Sequence, residues 1–454
     1  MKIVIVGDGK VGHALSEQLS GEGHDIVIID NRADKARYTD TRLDVVAVQG
    51  NGASYAVQQE AGVQDADILI AATSADEVNM LSCLVAKKLG ARNTIARVRN
   101  PEYAQQLVLM REDLGLSMAV NPELAAAVEI ARILGFPSAT RIETFGGGRV
   151  ELYEFQLPQD TPLHDLPLFR LYTAHKLKVL VCVVQRGGEV SIPSGDFVLQ
   201  RGDVLNITAT RTQIQEFCRV AGIATHRVHT VMIVGGSRIA YYLTRQLQNM
   251  GIQVKIVERD HARCLQLCEA FPQTVIIEGD AGDYAMLEEE GLPETDAFVA
   301  LTGNDEENIL LSLSASTQGV KVVTKVNRDG LTGLAAKLQL GSIISPKHIT
   351  ANNIVQVVRA MENSQGSNVE TLHRLVDNTV EALEFRIVPG FDRAGVPLKD
   401  LTFQPGLLVA CILRGAGVII PDGNDTIEVG DSVVVVTTHH YMDDISDIFA
   451  PVAE

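Results

Sequence analysis

The sequence predicts an α/β protein of two tandem units. Each unit is a Rossmann-like parallel-sheet nucleotide-binding lobe followed by a small α+β carboxyl-terminal lobe. Three features carry this prediction: a glycine loop between an apolar strand and an amphipathic helix, apolar strands that alternate with helices, and a repeat that returns nearly the whole pattern 228 residues later. Unbroken apolar strands are buried on both faces, which means a parallel sheet covered by helices on each side.

Residues 2–12 read Lys-Ile-Val-Ile-Val-Gly-Asp-Gly-Lys-Val-Gly. Gly7, Gly9 and Gly12 form a Gly-x-Gly-x-x-Gly loop enclosing Asp8, Lys10 and Val11, and Val11, Leu15 and Leu19 then recur at helical spacing. Here Gly7 permits the tight turn, Gly9 lets the backbone approach a pyrophosphate, and Gly12 lets the helix sit close on the sheet. Free N–H groups at the helix N-terminus seat the phosphates. A second strand, 26–29, ends in Asp30, placed to accept hydrogen bonds from a ribose. The bland alternative is an ordinary strand–helix turn, and the flanking strands and the acid weigh against it.

The chain continues with a short polar helix after Asp30, a strand at 45–48 leading to Asn51, and a strand at 68–72 closed by Thr73 and Ser74. Ser74 and Glu77 read as a capping box opening a helix over 78–88. A strand at 94–98 carries Arg97 and Arg99, and another covers 118–120. Ligands of such sheets lie outside the carboxyl ends of the strands, where the glycine loop, Asp30, Asn51, Thr73, Ser74 and Arg97 fall. A helix over 123–134 leaves this lobe. Short strands at 150–157, 178–185, 189–192 and 203–209, separated by Gly- and Asp-rich turns and closed by a helix at 212–220, form the smaller lobe.

Then the pattern begins again. Gly235, Gly236, Ser237, Arg238, Ile239 and Ala240 follow a strand at 231–234, and the strand at 254–257 ends in Glu258. Thr302 and Lys325 answer Thr73 and Arg97, and the Gly-Asp turns of the small lobe return as well. The chain is one cassette duplicated. The expected boundaries are 1–123 for the first nucleotide lobe, 124–139 for its crossover helix and 140–224 for the small lobe. In the second copy they are 228–348, 349–368 and 369–454. Ser237 stands where the first copy has Gly9, so the second site is expected to differ in affinity or preference.

Composition narrows the function. Over 454 residues the net charge is −18, which disfavours nucleic acid as a partner. No run of ~18 apolar residues suggests a membrane span, and the early Gly7-Asp8 interrupts any signal peptide. The six cysteines form no Cys-x-x-Cys and suit a reducing, cytoplasmic setting. No metal site is expected, since His226-x-x-His229 has no companion ligands and Cys264 with Cys268 reads as helix packing. No catalytic residues are assigned.

Asp30 and Glu258 accept from ribose hydroxyls and repel a 2′-phosphate, which favours NAD or an adenine nucleotide over NADP. Arg97 is read either as a bidentate ligand of a terminal phosphate or as one side of an ordinary salt bridge. An NAD-dependent oxidoreductase and a sensor for another cation transporter or channel remain as alternatives.

Together, residues 5–12, Asp30, 50–52, 72–80, Arg97-Val98-Arg99 and the Gly-Asp turns resemble the RCK family, regulators of potassium conductance also called KTN domains. The doubled order without a membrane span is similar to the regulatory subunits of Trk-type potassium uptake systems. The resemblance implies a cytoplasmic subunit, peripheral on the inner face of the cell membrane, that assembles as a homo-oligomeric ring, a tetramer, beneath a membrane-embedded potassium transporter subunit of Trk type. NAD or NADH and ATP or ADP are the implied ligands. Gly7–Val11, Asp30, Thr73, Ser74 and Arg97 would form the first site, and Gly235–Ile239, Glu258, Thr302 and Lys325 the second.

Overall fold

The computed structural model describes residues 1–32, 43–110, 113–136, 139–146, 149–223, 227–338, 340–363, 369–376, 379–439, 442 and 444–450. The polar helix expected after Asp30, along with His226 and His440, lies outside the described residues.

In the first copy β1 (Lys2–Val6), β2 (Asp25–Asp30), β3 (Val46–Gln49), β4 (Ile68–Ala71), β5 (Asn93–Arg97) and β6 (Met118–Val120) pair in parallel in the order β3-β2-β1-β4-β5-β6. Ile3, Val4, Ile5, Ile68 and Leu69 are wholly buried, as strands covered on both faces must be. The order reverses between β1 and β4, so a crevice opens at their carboxyl ends. Helices Lys10–Gly21 and Asp76–Leu89 begin there.

The first small lobe holds β7 (Arg141–Phe145), β8 (Val150–Gln156), β9 (Leu180–Arg186), β10 (Glu189–Ser191) and β11 (Val204–Thr208), in the order β10-β9-β11-β8-β7. The second copy repeats both patterns. Its parallel sheet is β12 (Thr230–Val234), β13 (Gln253–Glu258), β14 (Val275–Glu278), β15 (Ala297–Ala300), β16 (Lys321–Lys325) and β17 (Ser342–Ile344), ordered β14-β13-β12-β15-β16-β17. Its antiparallel sheet is β18 (Val369–Leu375), β19 (Val380–Arg386), β20 (Leu407–Arg414), β21 (Gly417–Ile419) and β22 (Ser432–Thr437), ordered β18-β19-β22-β20-β21.

The compact units do not follow the repeat. One unit combines 1–131 with 229–358, and the other combines 132–228 with 359–454, so like lobes associate across the duplication. Asn121 Nδ2 donates to the Tyr242 hydroxyl at 2.9 Å, and that hydroxyl donates to the carbonyl of Arg99 at 3.2 Å, tying the two nucleotide lobes together.

Two readings need correction. Ser74 does not cap the helix after β4: the N-cap is Ala75, with no side-chain cap bond, and the helix starts at Asp76. Thr73 takes that local role, its hydroxyl accepting Ala75 N–H at 3.3 Å, and Glu77 turns instead to the Tyr103 hydroxyl at 2.7 Å. In addition, β7, β18 and the helix Arg170–His175 were not expected from the sequence.

Candidate functional site

A cleft of about 890 Å³ opens at the carboxyl ends of β1, β2, β4 and β5. Gly7, Gly9, Lys10, Val11, Asp30, Asn51, Thr73, Ser74 and Arg97 all line it, so nine of the residues expected at the first site converge. Asp8 and Gly12 stand behind the surface. Asp8 is buried and its amide donates to Asp30 Oδ2 at 2.7 Å. A Cβ on Gly12 would meet the Gly7 carbonyl oxygen at 1.9 Å, which is why the helix needs glycine there. Gly7 adopts φ +97°, and a side chain would press on the Thr73 backbone. Above Gly9 there is nothing within 4 Å of a Cβ, leaving room for a ligand to reach the helix N-terminus.

The base of the cleft is pinned by a residue within the 72–80 stretch to which the sequence assigned no site role. Asn79 is fully buried; its Oδ1 accepts from Thr73 N–H (2.8 Å) and Oγ1 (2.6 Å), and its Nδ2 donates to the carbonyls of Thr73 (3.2 Å) and Arg97 (2.8 Å). Asn308 makes the same four bonds to Thr302 and Lys325 in the second copy. Its recurrence at the repeat spacing was the available signal. Asp76 likewise accepts the amides of Arg99 and Asn100, both at 2.8 Å, and Asp305 those of Asn327 and Arg328, both at 3.0 Å.

Arg97 reaches the Thr73 carbonyl at 3.3 Å and lies 3.9 Å from Glu123, too long for a strong pair. Its Nε is buried without a hydrogen-bond partner. Burial pulls its proton affinity down, Glu123 opposes this, and Arg99, Asp76 and Arg238 contribute in turn. Arg238 comes from the second copy's glycine loop. Reciprocally, Lys10 of the first loop bears on Lys325, whose proton affinity falls mainly through burial, with Asp305 opposing. Each loop's cation is therefore near enough to bear on the charge of the other lobe's strand-end cation.

At the second site, Glu258 accepts the Gly236 amide at 2.6 Å and the Asp260 amide at 2.8 Å, the same brace Asp30 gives Asp8 and Arg32. Gly235 repeats the positive φ, and Ile239 is buried. Ser237 marks the difference. Its hydroxyl accepts from the Ala240 amide at 3.4 Å, capping its own helix, whereas Gly9 offers no such bond. Arg263 donates to the Gly236 carbonyl, adding a cation next to Glu258. Lys325 donates to the carbonyls of Thr302 and Leu301. Among the described residues no group of three or more His, Cys, Asp or Glu could hold a metal ion, and no helix is long and apolar enough to cross a membrane.

These arrangements can grip an anion on helix N-terminal amides, accept from ribose hydroxyls, and set a cation against a terminal phosphate. Comparison with known proteins places the chain in a family. The TrkA-N domain family matches residues 3–122 and 231–346, and the TrkA-C domain family matches 152–222 and 382–450. The chain is 33% identical over 450 residues to a Trk system potassium uptake protein TrkA homolog of Archaeoglobus fulgidus, covering 99% of this chain and 100% of that one. It is also 33% identical over 440 residues to the Trk system potassium uptake protein TrkA of Halomonas elongata, covering 96% and 95%. In structure it is similar to the GsuK RCK domain, with a TM-score of 0.62 at 18% identity, covering 96% of this chain and 92% of that one.

Proposed function

The chain belongs to the family of Trk system potassium uptake proteins TrkA, and from that premise we propose that it is a nucleotide-binding regulatory subunit of a membrane potassium uptake system. It sits in the cytoplasm against its membrane-embedded Trk-type partner, assembled as a homo-oligomeric ring of four chains. NAD or NADH and ATP or ADP occupy the first site, and it acts by binding rather than by turnover.

The observation that carries this reading is the open space above Gly9 inside a cleft that also holds Asp30 and Arg97. Helix amides take the phosphates, Asp30 takes the ribose, and Arg97, whose charge Arg238 of the other lobe also bears on, distinguishes a terminal phosphate from its absence. A ligand shifts a two-state assembly only through unequal affinity for the states. Contact with Arg97, which belongs to one lobe while Arg238 belongs to the other, supplies that inequality, because closing the lobes changes the distance between them.

The test is calorimetric titration of the full chain with NAD, NADH, ATP and ADP, together with copurification from membranes. Saturable binding with unequal affinities for ATP and ADP, and recovery of a potassium-transport membrane protein, are expected. No nucleotide binding, or steady turnover of the nicotinamide, with NADH oxidised by a small keto acid or NAD reduced by a small hydroxy acid, would overturn the reading.

A further inference from the structure

The two small lobes share one core, in which Phe145 and Leu152 of the first copy pack with Leu375, Val376 and Leu413 of the second. The hairpins at this seam are repeat equivalents. Phe145 pairs with Val150 and Leu375 with Val380, so Glu143 answers His373 and Gly146 answers Val376. Two identical lobes placed in this way would bring like residues together. This chain brings unlike ones.

The first mismatch is of charge. Glu143 Oε2 lies 2.8 Å from His373 Nδ1, and Glu143 Oε1 accepts from Arg141 Nε at 2.7 Å. His373 Nε2 is 3.0 Å from the Thr144 carbonyl, and its ring stands edge-on to Phe145 at 4.7 Å. The second mismatch is of shape. A Cβ on Gly146 would lie 2.5 Å from Leu413 Cδ1, so glycine makes the hole that Leu413 fills. Val376, the matching residue, keeps its side chain in the shared core at φ +44°, a conformation a β-branched residue rarely adopts. Arg186 and Arg414 hold the matching aspartates Asp203 and Asp431, and this register sets Gln185 opposite Leu413 in the repeat.

We infer that the two small lobes are complementary to each other and incompatible with themselves: the face bearing Glu143 and Gly146 takes the lobe bearing His373 and Leu413 and rejects its own copy. A pair of first lobes would oppose two glutamates in a largely covered seam, and a pair of second lobes would drive valine into leucine. Both are costly. Specificity of this kind is a difference between the wanted and the unwanted pairing.

Single substitutions in the full chain reproduce each unwanted pairing. His373→Glu sets glutamate against glutamate, and Gly146→Ala fills the hole. Gly187→Ala is the control for backbone strain, since Gly187 has φ +58° with nothing near its Cβ. Amide exchange of the hairpins reports pairing. Each of the two seam variants is expected to lose protection about tenfold or more, while Gly187→Ala keeps it. The doubles E143Q/H373E and G146A/L413A are expected to recover most of the loss, since coupled residues do not add. The inference is overturned if the single variants exchange like the parent chain. It is equally overturned if the doubles are no better protected than the singles.

Discussion

Asp30 Oδ2 accepts the amide of Asp8 at 2.7 Å, so the acid proposed to meet the ribose also holds the glycine loop. Asp30→Asn therefore removes a charged acceptor from ligand and loop together. Since NAD and ADP both carry an adenosine ribose, both should lose affinity alike, by about ten- to a hundredfold for one charged hydrogen bond. Calorimetry with the two ligands checks this.

Gly9 and Gly12 separate binding from folding. Gly12→Ala places a methyl 1.9 Å from the Gly7 carbonyl oxygen and should destabilise the lobe by about 3 kcal/mol. Gly9→Ala meets nothing in the protein, so its cost is that of a poorer N-cap, about 1 kcal/mol at most, while nucleotide binding at the first site is lost. Urea melts paired with titrations distinguish the two.

Ser237→Gly frees the Ala240 amide that the serine hydroxyl now occupies. Helix stability should fall by only a few tenths of a kcal/mol. Affinity at the second site should rise, seen as a second set of sites in NAD or ATP titrations.

Arg97→Ala should reduce discrimination between ATP and ADP. Loss of a charged bond to a terminal phosphate, about 1.5–3 kcal/mol, lowers ATP affinity at least tenfold and leaves ADP little changed. Equal effects on the two nucleotides would assign Arg97 to Glu123 alone.

Glu143 gives a pH signature. Burial alone would raise its pKa; Arg141 and His373 outweigh this and bring it from 4.5 to about 2. A carboxyl depressed by folding stabilises the protein above its unfolded pKa, and that contribution fades as pH falls from 4.5 toward 2. The difference in urea midpoint between the parent chain and Glu143→Gln should therefore be present above pH 4.5 and shrink in that acid window.

What the sequence made legible follows from local physics. Gly7, Gly12 and Asp30 could be placed because a turn, a helix–sheet approach and a strand end each demand a residue type at a fixed spacing. Asn79 escaped because a lone asparagine has no motif, and only its return as Asn308 pointed to it. The Ser74 cap failed because Thr73 and Asn79, whose bonds depend on β5, settle that turn instead. β7 was missed because Glu143 sits where an apolar residue would mark a buried strand, and its partner His373 is 230 residues away. Which lobe packs on which copy is likewise absent from any periodicity.

Under the proposed function, nucleotide in the Gly9 cleft sets the activity of the membrane partner. This is tested most directly by potassium uptake into liposomes holding the copurified transporter, with the chain and NAD, ATP or ADP supplied. Uptake that depends on the nucleotide with the parent chain and ignores it with Gly9→Ala is the expected result. Uptake indifferent to nucleotide, or equally responsive with Gly9→Ala, would contradict the account.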